Sequence, residues 1–209
     1  PGREGVLNIT VEALAAWGVT VEQAFDAARR NDDADAARPW LVSAKHPGMF
    51  RSPWQDGRAG ARLINPRTLT MPLHGRAVAV LPTPSMLLVA GSDDEQGLLH
   101  VAEFARQEVQ RTDRQHVLRA FRLAADGGGW EDWLPPRQHR AYHAFRALEA
   151  IQERREYAEQ SEHVEAGARA KGMDAVPLPR LDVLAQSVTG EVMTVTTWRA
   201  GRPTALPKA

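Results

Sequence analysis

The chain has 209 residues, 26 of them basic and 26 acidic, so its formal net charge is zero. That balance argues against whole-molecule electrostatic attraction to nucleic acid or to an anionic membrane. There is no cysteine, which excludes disulfides, thiolate metal ligands, iron–sulfur clusters and cysteine nucleophiles.

The first predicted unit is a pair of helices. After Val6-Leu7-Asn8-Ile9, Thr10 can cap a short helix with Leu14 and Trp17 on its apolar side and Gly18 as its stop. Thr20 starts a second helix, and Gln23 stands three residues on, the spacing of a capping box. Val21, Ala24, Phe25 and Ala28 recur at helical spacing and predict one buried stripe, with Asn31 ending the helix. The acidic, alanine-rich stretch 32–38 reads as a mobile connection. Residues 1–38 are therefore read as an amino-terminal helical segment and residues 39–209 as the main domain.

From Pro39 to Pro72 the prolines at 39, 47, 53 and 66 interrupt any long element. Trp40-Leu41-Val42 is strand-like, Phe50 and Trp54 are expected to pack this segment onto the core, and residues 59–64 suit one or two helical turns. A strong hairpin signal follows. Residues 76–81 and 86–90 are apolar runs joined by Pro82-Thr83-Pro84-Ser85, as expected of strands buried on both faces or central in a sheet. Residues 91–94 end the second strand and cap a helix from about 95 to 112, with Leu98, Leu99, Val101, Ala102, Ala105 and Val109 on its core face.

A second hairpin is predicted from His116 to Ala124 and from Trp130 to Leu134, turning at Asp126-Gly127-Gly128-Gly129. Pro135-Pro136 ends it and opens a long helix over residues 137–171, with Gly172 as its stop. Tyr142, Phe145, Leu148 and Ile151 form that helix's apolar stripe. The stripe fades beyond Ile151, so the distal half must project, kink or dock on something else. A last hairpin pairs residues 181–187 with 192–198, turning at Thr189-Gly190. The order predicts an α+β fold: an antiparallel sheet built from hairpins, helices packed on one face, and one long helix.

Two stretches carry a family resemblance. One is Leu7-Asn8-Ile9-Thr10 continuing through Leu14, Trp17-Gly18-Val19-Thr20, Ala24, Ala27 and Asn31. The other is Ala77 to Pro82 followed by Met86 to Gly91. In these the chain resembles the uncharacterised bacterial YtpQ-like proteins. That family brings no established activity or catalytic residues, so the resemblance implies no chemistry.

Few constellations suggest chemistry. His139 and His143 stand four apart near the start of the long helix, which would place both imidazoles on one face, with Glu131 or Asp132 as an oxygen ligand for a divalent metal. The residues between them, Arg140-Ala141-Tyr142, lack the HExxH glutamate, and arginine beside such a site opposes metal binding. No Gly-x-Ser-x-Gly occurs, and Gly127-Gly128-Gly129 is followed by Trp130 rather than by a Walker lysine. Of the 26 basic residues only three are lysine. Arg106, Arg111, Arg114, Arg119 and Arg122, with Arg199 and Arg202, would make a nucleic-acid-binding patch if they converged, with Trp198 free to stack on a base. In the block 149–165, Glu149 and Glu153 repel while Arg155 and Glu159 attract, so a solvated face or a docking arm is expected.

No apolar run approaches the roughly 18 residues of a membrane-spanning helix. No charged-then-apolar leader follows Pro1, so a cytoplasmic location is expected. The sequence therefore predicts a non-catalytic interaction or regulatory module of a bacterial cytoplasmic protein, with no cofactor and no membrane. It would meet a protein partner or a second copy through the long helix 137–171 and the arginine-bearing helix after Gly91. The alternatives are a nucleic-acid-binding protein using the arginines and a metal-dependent hydrolase at His139 and His143.

Overall fold

The computed structural model describes residues 9–35, 38–112, 114–172, 179–186 and 190–197. Thr10 sits in extended backbone and its hydroxyl accepts the Ala13 N–H, which opens α1 (Val11–Trp17). Gly18 closes it at φ 67°, a left-handed conformation that a side chain would disfavour. Thr20 and Gln23 then bond each other's backbone N–H reciprocally, at 2.8 and 3.2 Å, as the capping box requires.

The following helix, α2 (Val21–Asp35), departs from expectation twice. It does not stop at Asn31, and the predicted mobile connection is helical through Asp35. Two acids in a last helical turn oppose the helix dipole. Here Asp32 is buried against the Arg62 guanidinium, and the Asn65 side-chain amide donates to Asp33. These partners offset the dipole and anchor the helix. The predicted buried stripe is also absent: Val21 and Phe25 are about half exposed, at 49% and 47%.

Six strands form one antiparallel sheet: β1 (Leu41–Val42), β2 (Phe50–Arg51), β3 (Ala77–Thr83), β4 (Met86–Gly91), β5 (Val117–Leu123) and β6 (Trp130–Trp133), in the order β1-β2-β4-β3-β5-β6. The hairpin β3–β4 is central and buried on both faces, which is why its sequence reads as continuous apolar runs rather than an alternation. Val78, Val80, Leu88 and Ala90 face α3 (Glu95–Arg111) and α4 (Tyr142–Ala170), meeting Leu98, Val101, Ala105, Phe145 and Leu148. Ala77, Ala79, Leu81, Leu87 and Val89 face the other way. They are covered by the irregular segment that includes two 3-10 turns, Ala59–Ile64 and Pro66–Thr68, and by Trp40, Leu63 and Trp130. Phe50 and Trp54 are buried as expected. The fold is α+β, with the helices α3 and α4 on one face of an antiparallel sheet.

Pro82 was expected in a turn but lies inside β3, leaving Pro84 and Ser85 as the turn. Proline has no N–H for a ladder, and the pairing slips on both sides of it: β3–β4 shifts between Val80 and Thr83, and β3–β5 between Ala79 and Leu81. The second slip frees backbone groups of β5, and α4 satisfies them. The buried Gln152 accepts the Leu118 N–H at 3.2 Å, while Arg155 donates to the His116 carbonyl at 2.7 Å. The apolar stripe of α4 fades after Ile151 because its next turn carries the polar groups that hold this bulged strand.

The hairpin β7 (Leu181–Ala185) and β8 (Val192–Thr196) forms a separate two-stranded sheet that packs along α4, with Gly190 beside His143 at its turn and Leu181 near Tyr157 at its open end. The remaining correction concerns where α4 begins. It starts at Tyr142 rather than near residue 137, because Pro136, Arg137, Gln138, His139 and Arg140 form turns in which Pro136 accepts the His139 N–H and His139 accepts the Tyr142 N–H.

Candidate functional site

That later start removes the geometry on which the two-histidine reading stood. His139 lies ahead of the helix, where its Nδ1 accepts the Ala141 N–H at 3.1 Å, and His143 lies in the first helical turn. They are not one turn apart on a common face. Among the described residues no group of three or more histidine, aspartate or glutamate side chains is arranged to hold a metal ion. Glu131 and Asp132 lie on β6, and Glu131 is engaged elsewhere.

The arginines from 106 to 122 belong to three different parts of the chain. Arg106 and Arg111 are on α3, Arg114 is in the connection, and Arg119 and Arg122 are on β5. Arg111 pairs with Glu108 at 3.0 Å, and Arg119 with Glu156 of α4 at 3.0 Å. Arg122 bonds Glu131 and lies 5.7 Å from the Trp133 ring centroid, while Arg76 reaches the same carboxylate at 3.1 Å. The hydrogen bond from Arg122 holds the Glu131 carboxyl below the usual carboxylate range, with the Arg76 charge acting in the same direction. Arg106 and Arg114 are exposed. Arg199, Arg202, Trp198 and Lys208 lie outside the described residues.

Much of the acidic and basic block of α4 is likewise paired. Arg146 sits between the two glutamates expected to repel, at 3.1 Å from Glu149 and 2.8 Å from Glu153. Its hydrogen bond to Glu153 raises the already high pKa of its guanidinium. Charged side chains thus tie strands, turns and helix together instead of presenting one sign of charge outward.

Sequence reasoning missed the node that joins the amino-terminal helices to the body. Arg62, only 6% exposed, lies 4.5 Å from the Trp54 ring centroid and bonds both Asp32 and Asp56. Arg29 adds a bond to the Ile64 carbonyl at 3.2 Å. The available signal was weak: two aspartates following an amphipathic helix, and an arginine inside an apolar run.

Exposed apolar residues also remain on β1 and on the β7–β8 hairpin, and two surfaces stand out among the described residues. One is the apolar surface of the helical pair, where Val11 (76%), Trp17 (61%), Val21 and Phe25 are exposed along with Ile9 before α1. Val21 and Phe25 are four apart and so share one face of α2. Phe25 also borders a groove of about 610 Å³ together with Leu63, Ile64 and Trp130. The other surface is an open groove of about 920 Å³ between α4, the start of β5 and β7, lined by Val117, Ile151, Arg154, Arg155, Tyr157 and Leu181 among others. Burial raises the pKa of the Tyr157 phenol above its ordinary value. Neither surface brings together a nucleophile and a base.

No family model, curated protein or solved structure matches this chain.

Proposed function

We propose that this chain is a non-catalytic interaction module whose contact surface is the exposed apolar side of α1 and α2, with a second copy of itself as the first occupant. One observation carries the reading. Both helices have well-formed caps and α2 is fixed to the body through the buried Arg62–Asp32 pair, yet Val11, Trp17, Val21 and Phe25 stand in solvent. Large apolar side chains on an anchored helix face favour burial against another surface. The zero net charge leaves little long-range repulsion to keep copies apart. The long helix α4, expected from sequence to be the docking arm, receives the β7–β8 hairpin along part of its length.

Light scattering over a concentration series tests this. The mass should rise from 23.0 kDa toward twice that value, and Phe25→Glu should hold it at the lower value. A monomer at every concentration, with no protein retained by the native chain and lost by Phe25→Glu, contradicts the reading.

A further inference from the structure

We infer that the groove between α4, the start of β5 and β7 is a binding site for a small organic anion with an apolar body. This assignment is independent of the interaction surface on α1 and α2. The groove's volume is about 920 Å³, large enough for a ligand of metabolite size. Its apolar portion is supplied from three elements: Val117 of β5, Ile151 and Ala158 of α4, and Leu181 of β7, with Pro179 beside it.

Its charged lining is one-sided. Arg154, Arg155 and Arg180 border it, against a single carboxylate, Glu159. Arg155 is positioned rather than free, since one terminal nitrogen donates to the His116 carbonyl at 2.7 Å and its Nε stands 3.5 Å from Glu159. Arg180 stands 3.4 Å from Asp182, with its side chain largely exposed. Arg154 is exposed and has no carboxylate partner among the described residues. Arg154 therefore places an uncommitted guanidinium at the rim of an apolar groove. A guanidinium presents a planar fork of donors that fits a carboxylate or phosphate, and it is weakly hydrated enough to act beside apolar surface. The arrangement therefore suits an anionic head at Arg154 and Arg180 with an apolar body over Val117, Ile151 and Leu181.

The test is an NMR titration of the full ¹⁵N-labelled chain with three probes: octanoate, which has both features, 1-octanol, which has only the apolar body, and inorganic phosphate, which has only the charge. Octanoate should shift the amides of Val117, Tyr157 and Leu181 and saturate at about millimolar concentration. Octanol and phosphate should each bind about tenfold more weakly. Arg154→Glu should weaken octanoate about tenfold or more with the thermal melt unchanged, because the side chain is exposed. Glu159→Gln, which removes the competing carboxylate, should tighten binding several-fold, an outcome that unfolding cannot mimic. Equal binding of octanol or phosphate, shifts confined to α1 and α2, unchanged affinity in both variants, or the absence of any localised shift would each overturn the assignment.

Discussion

Replacing Gln152 by leucine tests how α4 holds the bulged strand. The Gln152 side chain is 4% exposed, accepts the Leu118 N–H at 3.2 Å and donates to Glu156 at 2.7 Å. Leucine keeps the approximate volume and is well tolerated in a helix, so neither a cavity nor a loss of helix propensity is expected. What is lost is the acceptor for a backbone N–H that the slipped β3–β5 register leaves without a strand partner. A buried donor left unsatisfied costs roughly 1–3 kcal/mol, and the added apolar burial offsets part of it, so a net loss of about 1–2 kcal/mol is expected. For a chain of this length that lowers Tm by roughly 2–8 °C, at about 2–4 °C per kcal/mol. Urea unfolding followed by circular dichroism gives the free energy, and hydrogen exchange gives the location. The Leu118 amide should lose protection by clearly more than the amides of β4, whose protection falls only by the global loss. An unchanged unfolding midpoint with an unchanged Leu118 amide would show that the strand does not depend on Gln152, and the reasoning would fail.

Arg62→Met should cost about 3–5 kcal/mol in urea unfolding, because it leaves Asp32 buried without its charge partner. Limited proteolysis should then cut between α2 and the sheet, and Arg62→Met combined with Asp32→Ala should recover part of the loss. Gly91→Ala drives a new Cβ into the His74 backbone, so it should destabilise by about 3 kcal/mol or more, measured the same way. Acidification gives a third check. The Glu131 carboxyl is held below its unfolded pKa, so its contribution is complete above the unfolded value and lost as pH falls through the folded one. Glu131→Gln should therefore flatten that part of the stability–pH curve, and added salt should shrink the difference.

How far the sequence revealed the molecule depended on how local each cause was. Thr10, Gly18, Thr20 and Gln23 act within one helical turn, and the caps they predict are formed. The central hairpin, the core face of α3 and the final hairpin were legible because apolar periodicity marks them directly. The misreadings in α2 and β3 involve distant partners. The extension of α2 through Asp32 and Asp33 requires Arg62 and Asn65, about thirty residues on. Pro82 reads locally as a turn residue, yet a bulged strand accommodates it with help from His116, whose N–H reaches the Pro82 carbonyl. The late start of α4 depends on turns closed by Pro136 and His139, and propensity alone favours beginning the helix at the prolines. The exposed stripe of α2 is the most informative miss. Its spacing is that of a buried face, and Arg29 and Asp32 continue that face at i+4 and i+7 from Phe25, so the chain holds α2 at its C-terminal half and leaves Val21 and Phe25 exposed.

Hydrogen exchange at low and high protein concentration puts the account most directly at risk. If the apolar surface of α1 and α2 is where this molecule makes contact, protection of amides 11–35 should increase with concentration, the sheet and α4 should stay constant, and Phe25→Glu should abolish the change. Protection that does not depend on concentration, or that grows along the distal half of α4 instead, would contradict it.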